Sequence, residues 1–226
     1  MPVFQLSMKK IVFPPPSLAE PDGLLAVGGD LSVKRLLEAY QNSIFPWYDD
    51  ESPILWWSPP ERFIIIPEDI HISHSMRKFM RKHEVRIEIN RDFADTMHHC
   101  RMAHHSKGEW ILDEMEEAYG ELHRAGFAIG VESFIDGEMA GGLYGVIIDK
   151  CFFGESMFTE KENGSKVALI LLSKLLSENG FCFIDCQFHT DHLESMGGIS
   201  VSRDEYLKLL GQGINEVKPF HLNIQE

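Results

Sequence analysis

The sequence predicts an α+β protein. A small N-terminal α/β domain over residues 1–62 precedes a larger domain over residues 63–226, in which helices flank a mainly antiparallel, mixed sheet. Three observations predict it. Residues 128–158 hold three strand-like runs joined by tight turns at Asp136-Gly137 and Asp149-Lys150, the pattern of an antiparallel meander. A helix with an apolar stripe and a further strand-like run follow it. The chain also changes character near Arg62, from turn-rich and aromatic to periodic.

The N-terminal region is punctuated by Pro14-Pro15-Pro16, Pro21-Asp22-Gly23, Gly28-Gly29, Phe45-Pro46-Trp47, Pro53 and Pro59-Pro60. One helix is expected there, from about Ser32 to Asn42, with Leu36, Leu37 and Tyr40 on its apolar face. Beyond Arg62, Phe63 to Ile66 reads as a strand. The next helix gathers Met76, Phe79 and Met80 opposite Arg77, Lys78, Arg81 and Lys82, and Val85 to Ile89 alternates as a strand. A helix from about Asp113 to Ala125 carries Met115, Ala118, Tyr119 and Leu122 and stops at Gly126. The meander comprises Ala128 to Ile135, Met139 to Ile148 and Cys151 to Phe158. The helix after it runs from Lys166 to Ser177, with Asn163 or Ser165 as N-cap and Gly180 as stop. Leu169, Leu172 and Leu176 share its apolar stripe. Cys182 to Phe188 is the last long strand-like run, and Ser202-Arg203-Asp204-Glu205 is a capping box that opens a final helix through about Leu210.

Composition narrows the class. With 226 residues, 44% hydrophobic and 25% charged, the chain is long enough for a sizeable core and ordinary for a globular protein. No run approaches the roughly 18 apolar residues of a membrane span, and Met1 to Lys10 lacks a signal-peptide core. The four cysteines lack scaffold spacing and read as reduced thiols, so a cytoplasmic protein is expected. The formal net charge of −14 opposes polyanions at long range. Locally the sign reverses: Arg77, Lys78, Arg81, Lys82, Arg86 and Arg91 face only Glu84 and Glu88 between residues 77 and 91. That face reads either as a solvated surface or as a phosphate-binding patch.

Two strings carry the chemistry: Gly154-Glu155-Ser156-Met157-Phe158 and Phe183-Ile184-Asp185-Cys186-Gln187. Each sets an acid in an otherwise apolar strand, where a carboxylate needs a partner or a use. Alternation places Phe153, Glu155 and Met157 on one face, and Phe183, Asp185 and Gln187 on one face. From the pattern alone, an ordinary buried ion pair explains the acids equally well. His98-His99-Cys100 with His104-His105 fits neither a zinc finger nor an HExxH helix, so no metal is expected. Gly28-Gly29 lacks the rest of a phosphate loop and reads as a turn.

Meander, helix, strand is the core order of the acyl-CoA N-acyltransferase (GNAT-type) fold, which the larger domain resembles. Acetyl-CoA chemistry is disfavoured, because Glu160 to Lys166 offers one glycine and two carboxylates where a pyrophosphate loop needs open N–H groups. Nearly the whole chain resembles the leucyl/phenylalanyl-tRNA–protein transferases. The resemblance rests on Gly23 to Ser32, Ile44-Phe45-Pro46-Trp47, Ile54 to Pro59, Gly108-Glu109-Trp110-Ile111, Gly141-Gly142-Leu143-Tyr144-Gly145 and the two acid-bearing strings.

It implies transfer of Leu, Phe or Met from aminoacyl-tRNA to an N-terminal Arg or Lys, marking proteins for N-degron degradation. No cofactor is implied, and a monomer is expected. By the same resemblance, Asp185 holds the incoming α-amine and is a candidate to take its proton, Gln187 orients the reacting groups, and Glu155 binds the cationic N-terminus or relays the proton. Leu143, Met157, Leu169, Leu172, Leu176 and Ile184 line the aminoacyl side-chain pocket. Trp47 and Trp110, with Tyr40 nearby, meet the terminal adenosine, and Arg77, Lys78, Arg81 and Lys82 meet tRNA phosphates. The competing readings are an acyl-CoA-dependent N-acyltransferase and a non-catalytic tRNA-binding module.

Overall fold

The turn-rich N-terminal region forms a four-stranded sheet that its sequence does not advertise. In the computed structural model, which describes residues 3–104, 111–219 and 222, β1 (Phe4–Leu6) runs parallel to β2 (Leu24–Gly28). β2 pairs antiparallel with β4 (Leu55–Trp57), which pairs with β3 (Phe45–Pro46). Strands of two to five residues are too short for alternation to register. Helix α1 (Val33–Gln41) follows Ser32 as expected and buries Leu36, Leu37 and Tyr40. Gly28 and Gly29 both take positive φ, consistent with a turn.

The second sheet has seven strands. These are β5 (Glu61–Ile65), β6 (Val85–Ile89), β7 (Ala128–Ile135), β8 (Glu138–Ile148), β9 (Cys151–Thr159), β10 (Phe183–Asp185) and β11 (Ile199–Ser202), in the order β11-β5-β10-β9-β8-β7-β6. Every pairing is antiparallel except β9 with β10. The crossover between those two parallel strands is α5 (Gly164–Glu178), as parallel pairing requires. The predicted meander, helix and following strand are therefore all present, in a mixed α+β fold. The remaining helices are α2 (His74–Lys82), α3 (Phe93–His104), α4 (Asp113–Arg124), α6 (Asp191–Ser195) and α7 (Arg203–Gly213), the last opened by the predicted Ser202–Glu205 capping box.

Two apolar layers sandwich the sheet. Tyr119, Phe153, Phe183 and Tyr206 lie on one side, continuous with Leu36, Tyr40 and Trp56 of the N-terminal region. Leu143, Phe152, Leu172, Leu176 and Ile184 lie on the other, under α5. The N-terminal region thus covers one face of the larger sheet.

The region of His98 to His104 is helical, because Phe93, Met97 and Cys100 share a buried face of α3; the side chains of His104 and His105 lie outside the described residues. Two local features differ from the reading of the sequence. Strand β10 is shorter than the apolar run that encodes it, ending at Asp185 rather than Phe188. In β9 the register slips: Tyr144 pairs with Ser156 and Gly145 with Gly154, so Glu155 is an extra, unpaired residue. Such a bulge reverses the alternation beyond it. Met157 consequently faces the α5 side, whereas Phe153 packs on the opposite layer. A Cβ on Gly145, opposite the bulge, would sit 2.3 Å from the Phe153 carbonyl oxygen, so glycine permits this crowding.

Candidate functional site

Strands β9 and β10 pair only from Cys151–Phe153 to Phe183–Asp185. Past that point β9 bulges and the other chain turns away. A cavity of about 560 Å³ opens between them, within the usual range for small-ligand sites. Leu143, Met157, Leu169 and Ile184 form an apolar wall, while Glu155, Asp185 and Gln187 bring polar groups to the other side and Phe45, Trp47 and Phe188 line it too. Phe152, Leu193 and His192 complete the α5 and α6 side.

The two acids have different partners. Asp185 is fully buried and receives Nε of Arg62 at 2.9 and 3.1 Å, Nη2 of Arg62 at 2.7 Å and the Tyr206 hydroxyl at 2.8 Å. Its Oδ1 also accepts the Gln187 N–H at 2.9 Å. Arg62 is clasped between the rings of Phe45 and Tyr206, 4.4 and 4.7 Å from their centroids. Burial opposes its charge, but the Asp185 carboxylate outweighs that and raises its pKa above the ordinary value. Both Asp185 oxygens are thus engaged, which leaves none free to take an incoming amine as the sequence reading expected.

Among the described residues Glu155 has no such counter-ion; the partners it has are neutral. Tyr40 Oη lies 2.8 Å from Oε1, Tyr119 Oη lies 3.1 Å from Oε2, and the two hydroxyls are 2.5 Å apart. Three side chains share the available protons. Burial raises both phenols well above their usual pKa, and the Glu155 charge raises them further, so they stay protonated. Burial likewise drives Glu155 upward, hydrogen bonds from the tyrosines partly offset it, and the balance leaves it at about 7. The Gln187 amide nitrogen donates to Oε1 at 3.4 Å.

The turn after Asp185 places Gln187. Its φ is +56°, its N–H is held by Asp185, its carbonyl accepts the Phe63 N–H at 3.2 Å, and the Phe188 N–H closes back on the Cys186 carbonyl at 2.7 Å. A non-glycine residue in this region costs of order 1–3 kcal/mol and persists only where its surroundings hold it.

The expected side-chain pocket is only partly realised. Leu143, Met157, Leu169 and Ile184 line the cavity, but Leu172 and Leu176 are fully buried in the core. At a rise of about 1.5 Å per residue, α5 carries Leu176 about 10 Å beyond Leu169 along its axis. Trp47 lines the cavity and is 44% exposed. Tyr40 cannot offer a stacking face: it is fully buried, packed on Phe153 at 4.9 Å, with its hydroxyl committed to Tyr119 and Glu155. Trp110 lies outside the described residues. Arg77, Lys78, Arg81 and Lys82 are exposed along α2 above the buried Met76.

Arg62, Tyr119, Tyr206 and Phe188 were missed as site residues. A signal existed for Arg62, a lone cation opening the apolar run Phe63–Ile66 and needing an acid such as Asp185.

At the start of α5, the Glu160 and Lys161 N–H groups both donate to the Ala140 carbonyl at 2.9 Å. A Cβ on Gly164 would collide with that same oxygen at 1.8 Å. Two amides of the loop that would have to cradle a pyrophosphate are thereby spent inside the protein. Among the described residues, His189, Asp191 and Glu194 alone bring potential metal-ligating atoms within 4.8 Å of one another; all three are exposed.

A slot between diverging parallel strands, apolar at one wall and edged by an acid that titrates near neutrality, suits the joining of an acyl group to an amine. It places the chain among the acyltransferases. A family model described as leucyl/phenylalanyl-tRNA protein transferase matches residues 64–211, and one for its N-terminal domain matches residues 29–60. The leucyl/phenylalanyl-tRNA–protein transferase of Syntrophobacter fumaroxidans is 50% identical over 219 residues, covering 96% of this chain and 93% of that one. The enzyme of the same name from Desulfatibacillum aliphaticivorans is 50% identical over 214 residues, covering 94% and 91%. Among solved structures, an aminoglycoside acetyltransferase from a soil metagenome aligns with a TM-score of 0.36 at 13% identity, covering 62% of this chain and 97% of that one. The chain belongs to the leucyl/phenylalanyl-tRNA protein transferase family, and is an aminoacyltransferase.

Proposed function

We propose that Glu155 accepts the proton when this chain transfers an aminoacyl group from tRNA to protein, with Asp185 positioning the site through Arg62, Tyr206 and Gln187. The transfer moves Leu or Phe from aminoacyl-tRNA to the α-amine of an N-terminal Arg or Lys, forming a peptide bond. Met is a further donor, and the product is marked for N-degron degradation. The observation that carries the reading is the pairing of an apolar wall with an unpaired acid of near-neutral pKa in one cavity.

An aminoacyl ester is already activated, and its conversion to an amide is downhill. An α-amine with a pKa of about 8 is partly neutral at pH 7. Its nitrogen attacks the ester carbon, and the carbon–oxygen bond to the ribose of the terminal adenosine breaks. The amine proton passes to Glu155 and from there to the departing ribose hydroxyl. Holding both reactants in place supplies several kcal/mol. The wall of Leu143, Met157, Leu169 and Ile184 takes the aminoacyl side chain, and the pliable Met157 admits both Leu and Phe. Trp47 stacks on the terminal adenine, worth about 1–3 kcal/mol, and the cations of α2 meet backbone phosphates without reading sequence. Among the described residues no helix is long and apolar enough to cross a membrane, in keeping with a cytoplasmic reaction.

The test supplies Arg-starting and Ala-starting peptides with leucyl-tRNA or with acetyl-CoA. Leucine should appear only on the Arg peptide and only from leucyl-tRNA. Acetyl transfer, or tRNA retention without any transfer, would overturn the reading.

A further inference from the structure

We propose that Phe188 is a positioning residue for the donor: it braces the Trp47 indole at the cavity mouth and so sets how tightly the terminal base of the aminoacyl-tRNA is held, without touching the reacting groups. This rests on the reading of Trp47 as the base platform.

Two neighbouring large apolar side chains stand open at the mouth, Trp47 at 44% and Phe188 at 39% exposure. Both line the cavity. Leaving both rings in water forgoes burial that aromatic side chains ordinarily obtain, which marks the pair as a surface for a ligand to cover. Their centroids are 5.5 Å apart with planes tilted by 55°. On the other side Trp57 meets Trp47 edge-on at 5.8 Å, and its indole N–H donates to the Trp47 carbonyl at 2.6 Å. Neither neighbour lies parallel against the indole, so both fix its tilt while its exposed surface stays open to a flat partner. Phe188 itself is anchored, meeting Phe45 edge-on at 5.6 Å, and Phe45 lies under the Arg62 guanidinium.

The turn at Gln187 is what brings Phe188 there. In a continued strand, Gln187 and Phe188 would point to opposite faces. The left-handed Gln187 and the closure of the Phe188 N–H onto the Cys186 carbonyl bend the chain instead. The amide of Gln187 then reaches Glu155, and the next ring reaches Trp47. One turn, held by Asp185, therefore places a group on the acceptor side and a brace on the donor side.

The test measures steady-state kinetics of the full chain with leucyl-tRNA and an Arg-starting peptide. Phe188→Ala should raise KM for leucyl-tRNA about 3–10-fold, the scale of one aromatic pair, with kcat and the peptide KM nearly unchanged. Phe188→Tyr should restore the donor KM. Phe188→Ala added to Trp47→Ala should cost nothing more, since both act through one platform. If Phe188→Ala loses solubility or fold, Phe188→Leu removes the ring while keeping apolar volume and carries the same comparison. An unchanged donor KM in the Phe188 variants, with a raised one in Trp47→Ala, overturns the bracing role and leaves the platform standing. An unchanged donor KM in Trp47→Ala as well overturns both. Parallel losses in kcat and both KM values, in Phe188→Tyr as much as in Phe188→Ala, also overturn the proposal.

Discussion

The end of β10 and the bulge of β9 each hold an enclosed acid, and they differ in what answers its charge. Asp185 meets a buried guanidinium and a tyrosine, and both its oxygens are taken up by those partners. Glu155, on the neighbouring strand, meets two phenols and an amide, and no cation pairs with it among the described residues. The negative charge of Asp185 adds to the burial that lifts Glu155. A counter-ion turns a buried acid into architecture; withholding one leaves an acid that exchanges protons near pH 7.

Replacing the titrating acid should have the largest effect. Glu155→Gln keeps shape and hydrogen-bonding atoms but removes the proton acceptor, and should lower kcat by about 10²–10⁴-fold. The pH profile sharpens the contrast. Wild-type kcat should rise as pH passes through about 7, where Glu155 ionises; in Glu155→Gln that limb should vanish and only the rise set by the α-amine, with its pKa of about 8, should remain.

Stability should move the other way. The folded pKa of Glu155 lies above its unfolded value, so its contribution is greatest below the unfolded pKa and is lost as pH rises toward about 7. At pH 8 the wild type should therefore carry a penalty of order 1–3 kcal/mol that Glu155→Gln lacks. Denaturant melts at pH 5 and pH 8 check this. A variant that keeps the kcat limb, or is destabilised more at pH 8 than at pH 5, would erase the distinction between the acids.

The paired acid should respond chiefly in stability. Asp185→Ala leaves Arg62 buried without its counter-ion and should cost about 3–5 kcal/mol. Arg62→Ala should cost a similar amount, and the double variant clearly less than the sum. Loss of turnover in Asp185→Ala should track the unfolded fraction and the released Gln187 turn. A stable Asp185→Ala that loses the kcat limb near pH 7, while Glu155→Gln keeps it, would give the proton to Asp185.

This contrast also marks how far the sequence could be read. Regular elements were legible because period and punctuation agree: the meander, α5 between two strands, and the Ser202 capping box all lie within a few residues of expectation. So was the presence of acids in apolar strands. Which acid titrates was not, because that depends on Arg62, 123 residues before Asp185, and on tyrosines from α1 and α4. The bulge at Glu155 was hidden too, since one inserted residue leaves composition and hydropathy intact while reversing the face of Met157. The extended reading through Phe188 failed for a related reason: the apolar run continues, but the Asp185 carboxylate captures the Gln187 N–H and bends the chain. Tyr40 illustrates the opposite error, a resemblance carried to a ring whose face is already packed.

The smallest expected effect extends the comparison to cations. Arg62 is matched inside the protein, whereas Arg81 and Lys82 are exposed on α2 and form no ion pair among the described residues. Charges left unmatched on an acidic protein are available to an external polyanion, and each phosphate neutralised releases counter-ions. Replacing both by alanine should weaken tRNA binding modestly and reduce the slope of log K against log salt by about 2, with kcat at saturating donor unchanged. Titration of tRNA at several salt concentrations reads this directly. An unaltered slope would mean that α2 is only a solvated face, and the phosphates would then have to be met elsewhere on the surface.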